Sequence, residues 1–470
     1  MSRKKILFVS YFYPPAAGQA LPGTQRSLKF IRHMPNVDKY VLTVEPGFYP
    51  DYFRLDHPQS VPVADEKIVR TGVFDIFDKL VALKNSFSGK SSNENVSTSG
   101  DGINAPGAMP AIGNRNESDT GRQEKGRFQW LKDAVSETVR YPDAINHWIW
   151  PAVGAGRSLI RKEGIEYVFA TGKPWSAIIA GMLMATTGVK LIVDFRDPWV
   201  DNPFERERSR VHKAMDRFFE KTVVKKAAWV FLNTDYLRQV FVRRYPSVPQ
   251  SKFLTMTNGY DADDFVGLET DTSVPEAADP AEAGLVITHA GLLYGLRDPI
   301  AVFKALALCS KTVKHRGDRA FVFRQLGEIT LRYDFNRFLE DNHVSDCFDH
   351  VGLVPYRECL NYLGQSDVLL IIQPDTQTQI PSKLYEYIYL NKPILTIAPM
   401  DGALGKMIKK YGFGDIYDPE DTQGIADYLE RGLTEKRQAG SLDCRYVHRS
   451  DFDVKNIAAK FENLIISGSR

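Results

Sequence analysis

Short apolar runs alternate with longer amphipathic segments along almost the whole chain, which is the pattern of parallel sheets covered by helices. The runs predict strands at Lys5 to Ser10, Tyr40 to Val44, Tyr167 to Ala170, Lys190 to Asp194 and Trp229 to Leu232. A second series predicts strands at Leu285 to His289, Ala320 to Arg324, Val368 to Ile372 and Pro393 to Ile397. Between the two series, GLETDTSVPEAADPAEAG (Gly267 to Gly284) is acidic and rich in Pro and Ala, and reads as a connection. The expected fold is α/β, with two Rossmann-like, doubly wound parallel-sheet domains at 1–266 and 284–440, a linker at 267–283 and a closing segment at 441–470. Within the first domain, residues 86–126 are rich in Ser, Gly and Asn; so little apolar surface cannot offset the entropy of ordering, and a disordered insertion is expected.

Composition narrows the function without naming it. A chain of 470 residues suits two cores better than one, and 43% apolar residues, 25% charged residues and a net charge of +2 give no global excess to hold a nucleic acid. Cys309, Cys347, Cys359 and Cys444 lack CxxC spacing, so reduced thiols, a cytoplasmic setting and no zinc site are expected. The opening MSRKKILFVSYFYPP reads as a buried strand rather than a signal peptide, and Trp175 to Val189 falls short of the roughly 20 residues that span a bilayer.

Phosphate chemistry has two candidate loops. In PPAAGQALPGTQRSLKF, Gly18 and Gly23 are spaced as in a P-loop, but Thr24 and Gln25 stand where Lys and Ser/Thr are required, and no GxGxxG occurs. A glycine loop with Arg26 behind it remains, against the alternative of a turn with a solvated Arg. In LVITHAGLLYGLRDPIAVFKAL, the loop Gly291 to Arg297 precedes Asp298, a helix cap, and Pro299; its amides and Arg297 are candidates for a diphosphate, or form an ordinary turn.

The stretch QIPSKLYEYIYLNKPI carries the most information. Lys383 and Glu386 share one helix face, Leu384 and Ile388 another, and Asn391 with Pro393 punctuates the end. One reading is an exposed ion pair worth about 0.2–0.5 kcal/mol. The other sets Ser382 and the helix-mouth amides against an anion, with Glu386 accepting from two ribose hydroxyls.

With PSKLYEYIYLNKPIL, five further stretches occur in order: KILFVSYFYPPAAG, DFRDPW, TNGYDADDF, HAGLLYGLRDP and HVGLVPYRECLNYLGQSDVLL. Together they resemble the retaining GT-B fold glycosyltransferases of family 4, which take sugars from nucleotide diphosphate sugars. The resemblance implies that Glu386 binds the ribose, that Gly291 and its neighbours meet the diphosphate, and that the base lies near Val354-Pro355-Tyr356. The family's Arg and Lys in the glycine loop are here Leu292 and Arg297, so Lys383 is expected to assist. Its Glu-x7-Glu pattern is half present: Thr378 stands at the first position, leaving the sugar hydroxyls to Thr378, Gln379 and the backbone before Pro381. No cofactor or metal is implied, and Asp261 to Asp264 reads as a turn. The closing segment is expected to pack back on the first domain, as in this fold generally.

On the acceptor side, Asp194, Arg196 and Asp197 of DFRDPW are catalytic candidates and Trp199 a sugar-stacking one, against the alternative of an Asp-Arg pair capping a turn. His147 and Lys173 are further acceptor-binding candidates. Between Pro203 and Lys252 there are 12 Lys/Arg against 5 Asp/Glu. With Phe218, Phe219, Trp229 and Phe241 in those segments, and Phe128, Trp130, Trp148 and Trp150 elsewhere in the first domain, this predicts a face for anionic lipid or else a solvated basic helix. The expected function is a metal-independent retaining hexosyltransferase acting from a nucleotide-sugar donor on a glycan or lipid-linked acceptor in surface polysaccharide synthesis, peripheral at the inner face of the cytoplasmic membrane. A sugar-nucleotide epimerase and a non-catalytic binding subunit on the same fold are the alternatives.

Overall fold

The computed structural model describes residues 3–15, 22–49, 65–74, 141–202, 208–268, 284–295, 297–312, 320–373, 376–442 and 444–468. Gly18, the expected insertion at 86–126, Phe128, Trp130 and most of the expected linker lie outside them. The chain divides into two compact units: Met1–Asn233 with Arg238–Met256 and Ala458–Arg470, and Thr234–Leu237 with Thr257–Ile457.

The first unit is built on β1 (Lys4–Val9), β2 (Val37–Val44), β3 (Lys67–Thr71), β4 (Tyr167–Gly172), β5 (Lys190–Phe195), β6 (Trp229–Leu232) and β7 (Phe253–Thr255). Its helices are α1 (Pro22–Arg32), α2 (Ile149–Glu163), α3 (Trp175–Met184), α4 (Arg210–Lys226) and α5 (Asp235–Arg244). Among the described residues the strands form one sheet in the order β3-β2-β1-β4-β5-β6-β7, every pair parallel. Helices cover both faces, so the central strands are apolar without alternation; all six residues of β4 are buried.

In the second unit, β8 (Leu285–Ala290), β10 (Phe321–Leu326), β12 (Phe348–Gly352), β13 (Val368–Ile372), β14 (Ile394–Ile397) and β15 (Asp415–Tyr417) form a parallel sheet in the order β12-β10-β8-β13-β14-β15. Short strands β9 (Leu293–Tyr294) and β11 (Ile329–Thr330) pair beside it. The helices are α6 (Ile300–Thr312), α7 (Phe335–Asp341), α8 (Tyr356–Gly364), α9 (Lys383–Leu390), α10 (Ala403–Tyr411) and α11 (Thr422–Ala439). A last helix, α12 (Val454–Ser467), supplies Ala458, Phe461 and Ile465, spaced for one helix face, to the first unit's core. Phe461 packs on Phe169 of β4 and Phe231 of β6, with ring centroids 5.3 and 5.1 Å away.

Both sheets reverse direction beside their first strand, between β1 and β4 and between β8 and β13. In such sheets the loops leaving adjacent strands part at the reversal, opening a crevice at the carboxyl ends where ligands bind.

Candidate functional site

At the carboxyl end of β8 the chain enters the Gly291 loop, and at the carboxyl end of β13 it enters the segment that leads to α9. The second unit's reversal thus places side by side the two stretches that the sequence marks for the donor. Leu384 and Ile388 are fully buried and anchor α9, while its other face carries Lys383 and Glu386. Asn391 ends the helix in the left-handed conformation (φ 55°), its side chain bonded to the Cys444 carbonyl and accepting from the Tyr446 amide.

Lys383 and Glu386 do not form the exposed pair of the simpler expectation. Their side chains are 30% and 15% exposed, with Lys383 Nζ 3.2 Å from Glu386 Oε2. The Tyr356 hydroxyl, from α8, donates to Glu386 Oε1 at 3.0 Å, and Lys383 lies over the Tyr356 ring. Burial works against the Lys383 charge, but Glu386, Cys359 and Tyr387 together outweigh it and hold the ammonium above its ordinary pKa. Burial, reinforced by Glu386, likewise pushes the Tyr356 hydroxyl up, so it stays protonated and donates. Among the described residues each Glu386 oxygen has one hydrogen-bond partner, and each retains capacity to accept another.

Ser382 is exposed and makes no side-chain cap bond, and Gln379 and Pro381 are half-buried in the approach to the helix. Thr378 Oγ1 and, across the crevice's other loop, Arg297 Nε are buried without a hydrogen-bond partner among the described residues. Buried polar atoms are rarely left so, and both belong to the expected donor set. Gly291 has φ 148°, which favours glycine, and Leu292 beside it is half-buried. Asp298 caps α6 through the Ile300 amide at 3.0 Å and accepts from the Tyr333 hydroxyl at 2.8 Å.

His289, on β8, opens the HAGLLYGLRDP stretch but was given no role there, and Gln325, on β10, lies in no motif. They meet because the parallel register sets position 289 opposite 325. His289 Nδ1 lies 2.8 Å from Gln325 Oε1, and burial lowers the imidazole pKa to about 4.

The first unit corrects several expectations. Asp194 is 1% exposed and holds Arg26 through two bonds of 3.0 and 3.1 Å while accepting from Thr171 at 2.9 Å. Arg26, 6% exposed, also donates to the Met256 carbonyl, so it is a buried bolt between α1 and the sheet rather than a solvated cation. Asp194 is therefore engaged on both carboxylate oxygens within the first unit's core. Trp199 is 1% exposed, stacked on Trp175 at 4.9 Å and 3°, and donates to Asp216; no ring face is left for a sugar. Arg196 donates to the carbonyls of Gly172 and Lys173, fixing the turn after β4. Asp197, Lys173 and His147 are half-buried. Lys173 follows β4 at the reversal, whereas His147 lies in a turn before α2.

Of the aromatics expected at a lipid face, Trp148, Trp229 and Phe241 are in the core, and Phe219 is half-buried between Tyr141 and Trp199. Phe218 and Trp150 are 64% and 66% exposed. On α4, Phe218 and Val211, seven residues apart, stand out among exposed Arg210, Lys213, Arg217 and Lys221. No helix among the described residues is long and apolar enough to cross a membrane.

No protein-family model matches the chain, and no curated protein sequence matches it either. Solved structures do. The Anabaena protein Alr3699/HepE in complex with UDP is 12% identical with a TM-score of 0.56, over 98% of this chain and 100% of that one. It has also been solved with UDP-glucose. A glycosyltransferase from Rickettsia africae ESF-5 is 11% identical with a TM-score of 0.56, over the whole of both chains. The lipopolysaccharide outer core galactosyltransferase WaaB, in its apo form, is 11% identical with a TM-score of 0.54, over 99% of this chain and 100% of that one. At such identities the likeness concerns architecture: this chain has the GT-B fold.

Proposed function

We propose that this chain is a retaining glycosyltransferase that moves a sugar from a nucleotide diphosphate sugar to a glycan or lipid-linked acceptor, in the synthesis of a surface polysaccharide. One observation carries the reading: the Gly291 loop with Arg297, and the α9 mouth with Lys383 and Glu386, leave adjacent strands at the second unit's reversal. A carboxylate with acceptor capacity beside two cations suits a ribose joined to a diphosphate. The Anabaena structures with UDP and UDP-glucose favour a uridine donor. Retention and the polysaccharide setting rest on the six ordered stretches that resemble family 4.

As the bond between the sugar carbon and the diphosphate breaks, negative charge gathers on the leaving oxygen. Arg297, Lys383 and the loop amides neutralise it from fixed positions, which is where such sites gain most of their rate. Thr378, whose hydroxyl has no partner among the described residues, and Gln379 take the sugar hydroxyls. Lys173, Asp197 and the turn that Arg196 fixes serve the acceptor from the first unit. The α4 face with Phe218, Val211 and four cations rests on anionic lipid, bringing a lipid-linked acceptor within reach.

The test pairs binding with turnover. Titration with UDP, GDP, ADP and dTDP is expected to select one diphosphate, with Glu386→Ala weakening it at least tenfold. Release of that diphosphate from its sugar conjugate should depend on an added acceptor. Release or isomerisation without acceptor points to an epimerase instead, and binding without turnover to a non-catalytic subunit.

A further inference from the structure

Two glycine loops are pressed together at the carboxyl ends of β8 and β10. A Cβ at Gly327 would lie 2.6 Å from the Gly291 carbonyl oxygen, so glycine is required there, at φ 123°. Gln325 Nε2 donates to that same Gly291 carbonyl at 2.7 Å and to the Gly327 carbonyl at 3.3 Å. Since carbonyls can only accept, the amide nitrogen of Gln325 must face them, and its oxygen must face His289. That oxygen in turn requires a proton on His289 Nδ1, 2.8 Å away, which fixes the tautomer of a neutral imidazole.

The consequence falls on the next peptide group. Gly291 and Leu292 are joined by a trans peptide, in which the carbonyl and the following N–H point in opposite directions. With the Gly291 carbonyl drawn toward Gln325, the Leu292 N–H is turned away from it. That amide finds no acceptor among the described residues, although the Gly291 amide donates to Leu326 and the Leu293 amide to Glu328. Arg297 and Lys383 both lie close enough to act on the His289 charge, so the relay itself sits in a cationic neighbourhood.

We propose that His289 and Gln325 are positioning residues, whose hydrogen-bonded relay holds the Gly291–Leu292 peptide with its N–H aimed at a diphosphate oxygen of the donor. The inference rests on the donor reading above and deepens it. It also accounts for Leu292: the side chain supplies no charge, and the backbone supplies the contact.

The test uses the full-length chain and the nucleoside diphosphate that the wild type selects from UDP, GDP, ADP and dTDP, beside the matching nucleoside without phosphate. His289→Leu and Gln325→Glu are expected to lose about tenfold or more in diphosphate affinity, the scale of a hydrogen bond to a charged group, with nucleoside affinity unchanged. Gln325→Glu turns an oxygen toward two carbonyls while barely changing shape. His289→Asn, which keeps an N–H where Nδ1 stood, is expected to restore most of the loss. Equal losses for diphosphate and nucleoside, or no loss, would overturn the relay while leaving the transferase reading intact. Failure of the wild type to bind any diphosphate would overturn both. Should the variants not fold, the unmodified chain still decides: its Leu292 amide proton is expected to move downfield and to exchange more slowly with diphosphate bound, and an unmoved resonance rejects the assignment.

Discussion

Glu386 illustrates how much a single side chain's neighbours decide. On an exposed helix its pairing with Lys383 would be worth a few tenths of a kcal/mol. Partly buried and held by Tyr356 and Lys383, it is instead a prepared acceptor. Tyr356→Phe removes one support and is expected to weaken diphosphate binding by roughly three- to tenfold in calorimetric titration, because it loosens the Glu386 carboxylate without removing it, and by less than Glu386→Ala. Asp194 calls for the opposite kind of measurement. Asp194→Ala removes the carboxylate that balances the buried Arg26 charge, so urea unfolding should show a loss of about 3–5 kcal/mol; a reacting carboxylate would instead leave stability intact and abolish turnover. His289 adds a pH dependence. Its pKa falls from 6.5 to about 4 on folding because burial excludes the charged form. Below pH 6.5 the unfolded chain takes up a proton that the fold refuses, so this contribution is complete above about 6.5 and is lost as pH falls toward 4. His289→Asn should flatten the stability profile across that interval, and an unchanged slope there would mean that the imidazole already carries its proton in the folded chain.

Helices and strands show where sequence reading works and where it fails. Every strand expected from an apolar run exists, with ends displaced by at most three residues. The strands not foreseen in the two large sheets, β3, β7, β12 and β15, are their four edges. An edge strand is covered incompletely, so its residues need not form an apolar run: Lys67–Thr71 and Phe348–Gly352 contain no fully buried residue. Asn391 was legible because a left-handed helix end selects Asn or Gly. Asn391→Ala is expected to cost about 1–2 kcal/mol in thermal unfolding, from the left-handed backbone alone, and more if its bonds to Cys444 and Tyr446 matter. The α4 face was half legible: its charges were visible, but the burial of Trp229 and Phe241 was not, since aromatic composition does not distinguish core from surface. Phe218→Ser with Lys213→Glu should abolish sedimentation with anionic vesicles while leaving the melting temperature within a few degrees; retained sedimentation would remove α4 from the membrane reading.

Across the whole molecule, the candidate site was legible where its residues are consecutive and illegible where topology makes the neighbours. Lys383, Glu386 and the Gly291 loop lie in local motifs, and a sheet reversal brings those motifs together. Arg26 with Asp194, 168 positions apart, and His289 with Gln325, 36 apart, meet only through strand order, so neither pair could be read from spacing. Trp199 was misjudged for the same reason, because its stacking partner Trp175 comes from another βα unit. The net charge of +2 gives no global pull on an anionic donor, which leaves the second unit's reversal as the source of affinity. The most direct measurement is calorimetric titration of the wild type and Glu386→Ala with UDP. The account predicts saturable binding at one site in the wild type and at least a tenfold weaker constant in the variant. Equal binding by both proteins would contradict the assignment of the site to Glu386, and absence of UDP, GDP, ADP and dTDP binding by the wild type would contradict the donor function itself.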